Sequence, residues 1–88
     1  MKIININKNR RTGELIELLL DVWESSVRAT HLFLSENEIE NIKQYVPQAL
    51  KEVTYLIIVV NEANNPIAFM GIENNKLEML FVSADERG

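Results

Sequence analysis

The sequence predicts an α/β sandwich in the order strand, helix, helix, strand, strand, strand, with a mostly antiparallel sheet packed by helices. Three observations carry this expectation: a short alternating apolar segment opens the chain, two helix-period stretches follow, and three β-rich runs separated by asparagine turns come last. At 88 residues the chain holds at most one domain, and a core of this size lies near the lower limit for independent stability.

Ile4 and Ile6 alternate with Asn5 and Asn7 after Ile3, the pattern of a short strand with one wet side. Lys8-Asn9-Arg10-Arg11-Thr12-Gly13 interrupts it. Thr12 is placed to cap a helix whose Leu15, Leu18, Leu19, Val22, Trp23 and Val27 recur at three- and four-residue spacing, with Glu14, Glu17, Asp21 and Glu24 mainly outside. After Thr30-His31-Leu32-Phe33-Leu34, Ser35 and Glu38 supply a capping box, and Leu34 and Ile39 occupy the hydrophobic-staple positions. Ile39, Ile42, Val46, Leu50 and Val53 continue an apolar side. Pro47 has no amide donor and restricts the residue before it, so a break is expected near Tyr45 or Val46, followed by a second short turn.

Strands are expected over about residues 54–61, 67–72 and 76–82. Asn64-Asn65-Pro66 and Asn74-Asn75 supply the turns, because asparagine tolerates the left-handed conformation and bonds to its own backbone. The run Leu56-Ile57-Ile58-Val59-Val60 lacks polar alternation and predicts a strand covered on both faces. Strict alternation puts Leu77, Met79 and Phe81 opposite Glu78, Leu80 and Val82. Gly71 marks a bend or a close approach.

Thirteen acidic against nine basic residues give a net charge of −4, which offers no overall attraction to nucleic acid or an anionic membrane. The aromatics are not interleaved with a basic ladder. The lack of cysteine excludes cysteine catalysis and disulfides and fits a reducing compartment. The longest apolar runs fall far short of the roughly 20 residues that cross a bilayer, and the first residues carry no secretory pattern. A cytoplasmic protein is expected. A lone histidine forms no metal cluster, so no metal is expected.

The final residues, Ser83-Ala84-Asp85-Glu86-Arg87-Gly88, follow a strand-like run, which is where a phosphate-cradling loop begins in many folds. Arg87-Gly88 alone is a weak motif. Other stretches add to it: Leu20-Asp21-Val22-Trp23-Glu24-Ser25-Ser26-Val27-Arg28-Ala29-Thr30-His31-Leu32-Phe33-Leu34, then Pro66-Ile67-Ala68-Phe69-Met70-Gly71, then Leu77-Glu78-Met79-Leu80-Phe81-Val82. Together they resemble the N-terminal part of the GCN5-related N-acetyltransferase (GNAT) superfamily, and the Trp23 to Phe33 segment resembles one branch of small bacterial members.

That resemblance implies that residues 1–88 form the N-terminal part of a single acetyltransferase domain, reaching the start of the loop that holds the acetyl-CoA pyrophosphate. It implies that Leu80, Phe81 and Val82 lend backbone groups to the pantetheine arm and thioester, and N–H groups to the oxygen that gains charge. Plain core packing is the competing reading of those three residues. Arg87 would be the first position of an Arg/Gln-x-x-Gly-x-Gly/Ala loop and Gly88 the residue after it; the diagnostic glycines, a following helix, a splayed fifth strand and a late tyrosine would lie beyond. The implied reaction is transfer of acetyl from acetyl-CoA to an amine by direct attack. The 88 residues alone are expected to bind acetyl-CoA weakly or not at all and to be inactive.

Glu78 and His31 are the catalytic candidates. His31 is the only side chain whose ordinary pKa lies between pH 5 and 8, and the resemblance puts its segment beside the acceptor pocket, against a plain role in loop bonding. Phe33 is a candidate acceptor-pocket wall, whereas Trp23 reads as core. A carboxylate such as Glu78 or Glu73 serves as base only where its surroundings raise its pKa. The expected partners are a small-molecule or peptide amine, and either further copies of the chain or a complementing C-terminal half. The reading from a different class is a non-enzymatic module that self-associates through the Leu77–Val82 edge, covering Leu56, Ile58, Phe69, Met79 or Phe81.

Overall fold

The computed structural model of the chain describes residues 1–30 and 34–84. The element order is β1 (Lys2–Asn5), a 3₁₀ turn (Lys8–Arg10), α1 (Gly13–Thr30), α2 (Glu36–Lys43), α3 (Val46–Glu52), β2 (Tyr55–Val60), β3 (Pro66–Glu73) and β4 (Lys76–Val82). All neighbours in the sheet β1-β2-β3-β4 are antiparallel. This is the strand-helix-helix-strand-strand-strand order read from the sequence, with the second helix split in two.

Local chemistry explains the boundaries. The Thr12 hydroxyl accepts the Leu15 N–H at 3.2 Å and opens α1. At α2 the capping box closes in both directions: Ser35 Oγ accepts from Glu38 N, and Glu38 Oε1 accepts from Ser35 N. Pro47 sits in the first turn of α3, where a missing amide donor costs no helical bond. Asn64, Asn74 and Asn75 hold φ of 64°, 51° and 63°, so the β3–β4 connection is a two-residue hairpin turn of left-handed residues. The Asn61 side chain accepts from Ala63 N and Asn65 N and shapes the preceding turn.

The helices cover one face of the sheet. Leu56, Ile58 and Phe69 are buried there against Leu19, Trp23, Val27 and Leu50, and Ile4, Met79 and Phe81 pack at the margin. Three expectations need correction. Leu18 is 41% exposed, while Ile16 and Leu20 are buried; the run Leu18-Leu19-Leu20 satisfies helical spacing in more than one rotation, and packing chose the other. Ile42 is 43% exposed, because the break at Pro47 gives α2 and α3 separate faces. Strand β2 is covered on one face only: Leu56, Ile58 and Val60 are buried, but Ile57 and Val59 are half-exposed. A self-association surface built on Leu56, Ile58 and Phe69 is therefore ruled out for the folded chain, since the helices already occupy that side.

Strand β4 does not alternate strictly. Gly71 pairs with Met79 and Ile72 pairs with Leu77, so Glu78 is an extra residue in a β-bulge. Beyond the bulge the sides exchange. Met79 and Phe81 face the helices, whereas Leu77 joins Tyr55 and Ile72 on the opposite side.

Arg11 is the side chain that ties the layers. It is 7% exposed and donates to five backbone carbonyls: Ile6 (3.2 Å), Leu50 (3.1 Å), Lys51 (3.1 Å), Val53 (2.5 Å) and Thr54 (3.2 Å). Three of these acceptors lie at the C-terminal end of α3, where carbonyls lack helical partners and a cation meets the negative end of the helix dipole. Burial lowers the Arg11 pKa from its ordinary value, yet arginine remains charged in proteins.

Two stability outcomes follow. Arg11→Met should cost about 3 kcal/mol by leaving charged hydrogen bonds unmade and buried carbonyls unpaired, read as a lower urea midpoint at unchanged m. Arg11→Lys should not restore it, since a point ammonium cannot reach the acceptors of a planar fork; full rescue by lysine would refute the assignment. At Gly71 an added Cβ would lie 2.6 Å from Met79 Cε and 3.2 Å from Val53 Cγ2. Met79 can swing its flexible end away from a methyl, but a larger side chain also meets Val53, so Gly71→Leu should destabilise by about 1–3 kcal/mol through overpacking, checked by the same titration.

Candidate functional site

Beside the bulge, the end of α3 and the β3–β4 hairpin border a shallow, open recess of about 330 Å³ lined by Ala49, Glu52, Val53, Glu73, Glu78 and Met79. Its floor is apolar and its rim carries three carboxylates. The bulge turns Glu78 toward Met79 and this recess, which corrects the expectation that Glu78 shares the face of Leu80. Among the described residues no group of three or more histidine, cysteine, aspartate or glutamate side chains is placed to hold a metal ion.

The three carboxylates differ in how they are held. Glu73 accepts from Thr54 N at 3.0 Å and from the Thr54 hydroxyl, and those two bonds, the hydroxyl first, pull its pKa below the ordinary carboxylate value. It is a fixed anion and a poor proton acceptor, so it is not the base that a raised pKa would make. Glu52 accepts from Gln48 Nε2 at 2.7 Å. Among the described residues Glu78 makes no ion pair or side-chain hydrogen bond, which leaves it available to a ligand. An apolar floor with an anionic rim suits an alkyl chain ending in a cation, since such chains bury their methylenes and keep the charged head at a polar edge.

The remaining sequence candidates fall in three places. Phe81 packs its ring against Phe69 with centroids 5.5 Å apart and a 39° tilt, while Leu80 is 56% exposed on the opposite side and Val82 is half-buried. Trp23 is core. His31, Phe33, Arg87 and Gly88 lie outside the described residues.

The flanks of those segments are described. Arg28, near the end of α1, bonds Glu36 at 2.5 and 3.0 Å and Glu24 at 2.8 Å, and Lys43 meets Glu24 at 2.6 Å. Hydrogen bonds from Lys43 and then Arg28 lower the Glu24 pKa, and Arg28 lowers that of Glu36. Exposed pairs of this kind add little stability, but they join α1 to the first turn of α2 across residues 31–33. At the other end of the sheet, Ser83 N donates to Ile67 O at 2.8 Å and Ala84 N donates to Ser25 Oγ at 3.0 Å, fixing the direction in which the chain leaves β4.

Thr54, Ser25 and Glu52 were not singled out by sequence reasoning. Only Thr54 carried a usable signal: once β2 and β3 are paired antiparallel with Tyr55 opposite Ile72, Thr54 must face Glu73. Because the folded Glu73 pKa is depressed, the tether stabilises the fold above the ordinary carboxylate pKa and is lost as pH falls through the lower folded value. Thermal melts of the natural chain and Glu73→Gln should therefore differ near neutrality and converge in acid. A difference that persists unchanged in acid would contradict the tether.

No family model matches the chain. It is 34% identical over 86 residues to the peptidyl-lysine N-acetyltransferase YjaB of Salmonella typhimurium, covering 98% of this chain and 57% of that protein. It is 35% identical over 86 residues to the Escherichia coli protein of the same name, covering 98% and 56%. The solution structure of apo-form YjaB from Escherichia coli superposes with a TM-score of 0.74 at 31% identity, over 97% of this chain and 55% of that one. The chain thus spans little more than half the length of the curated relatives it matches. Over the stretch they share, the chain matches these acetyltransferases in sequence and fold, in agreement with the resemblance to the GCN5-related N-acetyltransferase superfamily read from the sequence.

Proposed function

We propose that this chain is the N-terminal part of an acetyl-CoA-dependent N-acetyltransferase domain that acts on an amine, with a peptide lysine as the first acceptor to test. The observation that carries the reading is the recess at the β4 bulge, where Glu52, Glu73 and Glu78 ring a floor made by Ala49, Val53 and Met79. A lysine chain matches it in polarity and charge. That the YjaB relatives are peptidyl-lysine N-acetyltransferases supports the same choice.

Within this reading the residues take separate roles. Glu73, held ionised by Thr54, draws the cationic acceptor in. Glu78 accepts the proton that the ammonium must lose before its nitrogen can attack. His31 and Phe33 contact the acceptor from the segment between α1 and α2. Strand β4 is a sheet edge, and an edge strand offers backbone N–H and C=O groups on the side away from its neighbour; this fits an amide-bearing pantetheine arm along Leu80, Phe81 and Val82. Arg87 and Gly88 begin the contacts to pyrophosphate. Acetyl-CoA, when bound, supplies an acyl group activated as a thioester. The domain extends past residues 1–88 in this reading, and the 88 residues alone are inactive.

The test is a chimera in which residues 1–88 replace the matched stretch of Escherichia coli YjaB. With lysine peptides it should release free thiol from acetyl-CoA, and the isolated chain should not. In the chimera, Glu78→Gln should lower kcat by about 100-fold, with KM for acetyl-CoA unchanged and a deficit that shrinks as rising pH deprotonates the acceptor unaided. A folded chimera with no thiol release would refute the function. Full activity of the Glu78→Gln chimera would refute the role of Glu78 alone.

A further inference from the structure

Where β4 ends, two successive backbone amides turn to different elements. Ser83 N donates to Ile67 O of β3 at 2.8 Å, and Ala84 N crosses to the Ser25 hydroxyl of α1 at 3.0 Å, a partner 59 residues earlier in the chain. A serine within a helix more often bonds a carbonyl of its own preceding turn; here its oxygen receives a donor from another element. Ser25 and Ala84 are half-buried, and Ser25 borders an open cleft of about 280 Å³ whose wall includes Asp21, Asn65, Pro66 and Ser83. The contact lies outside the apolar core, so removing it leaves core packing in place.

Its position along the chain gives the contact a use. Arg87 follows Ala84 by three residues, at most about 10 Å of extended chain, so the backbone direction at Ala84 governs where those residues can reach. Helix α1 is itself well seated, because Val22, Trp23, Ser26 and Val27 around Ser25 are all buried. The same helix ends at Thr30, directly before His31. One packed element therefore fixes the exit of β4 and leads into the segment assigned above to the acceptor.

We propose that Ser25 is a positioning residue for the acyl donor: its hydroxyl, carried on α1, aims the chain leaving β4 so that the residues after Ala84 meet the pyrophosphate of acetyl-CoA. The proposal rests on the acyl-transfer reading. It assigns Ser25 to the nucleotide end of the donor and gives it no part at the thioester.

The test uses the chimera with Escherichia coli YjaB and two acyl donors, acetyl-CoA and S-acetylpantetheine, which carries the same thioester and no pyrophosphate. Ser25→Ala should lower kcat/KM for acetyl-CoA about fivefold, the scale of one lost hydrogen bond, through KM with kcat unchanged. With S-acetylpantetheine it should match the natural residue. Ser25→Thr, which keeps a hydroxyl, should restore the acetyl-CoA value, and Asp21→Asn, on the same cleft, should leave it unaltered. An equal fall with both donors would overturn the proposal by marking a general effect on the domain, as would an unchanged kcat/KM for acetyl-CoA. A chimera that releases no thiol refutes the acyl-transfer reading; Ser25 is then judged by calorimetry with coenzyme A, where equal or absent binding in the natural and Ser25→Ala chimeras overturns its role as well. In the 88-residue chain, the Ala84 amide should exchange its hydrogen faster in Ser25→Ala than in the natural chain or Ser25→Thr. Equal exchange would remove the hydrogen bond on which the proposal stands.

Discussion

One guanidinium gathers three ends of the fold at a single buried point. The segment after β1, the end of α3 and the start of β2 meet at Arg11, and no regular hydrogen-bond ladder links all three. A chain of this length without cysteine has little else with which to join them. The carbonyls that Arg11 gathers are those a helix end leaves over, so one buried cation both closes α3 and fixes where β2 begins. Desolvating it is costly, and the site tolerates that cost because the whole fork is bonded.

The candidate site inherits its shape from the same join. Val53 gives its carbonyl to Arg11 and its side chain to the recess floor. Thr54 gives its carbonyl to Arg11, while its N–H and hydroxyl bind Glu73. A buried cation, a backbone corner and a fixed carboxylate therefore stand in line, and the anionic rim is positioned from the interior of the domain. A surface carboxylate positioned in this way keeps its orientation as well as its charge.

The sequence was legible where the cause was local. Thr12, the Ser35–Glu38 box, Pro47 and the asparagine turns act within a few residues of themselves, and each boundary lies close to where its chemistry puts it. The family signal in Trp23 to Phe33 and in β4 led to the correct fold. Arg11 was not legible, because four of its acceptors lie 39 to 43 residues away and nothing in Lys8-Asn9-Arg10-Arg11 tells one basic residue from the next. The rotation of α1 was hidden by a run of three leucines. The recess brings together α3, β3 and β4, so it exists only once the sheet register is known.

The bulge at Glu78 gives β4 two frames, one running from the hairpin tip to Leu77 and the other from Met79 onward. For an evolving sequence this makes the bulge a separable unit. A substitution at Glu78 alters one side chain. Deleting that residue makes Leu77 and Met79 consecutive and leaves them on opposite sides, paired with Ile72 and Gly71 as before, so the strand regains regular alternation and loses only the bulge and its carboxylate. Deleting a neighbour within the regular part of β4 instead shifts the alternation, so among relatives of this chain gaps in this strand should fall at the bulge.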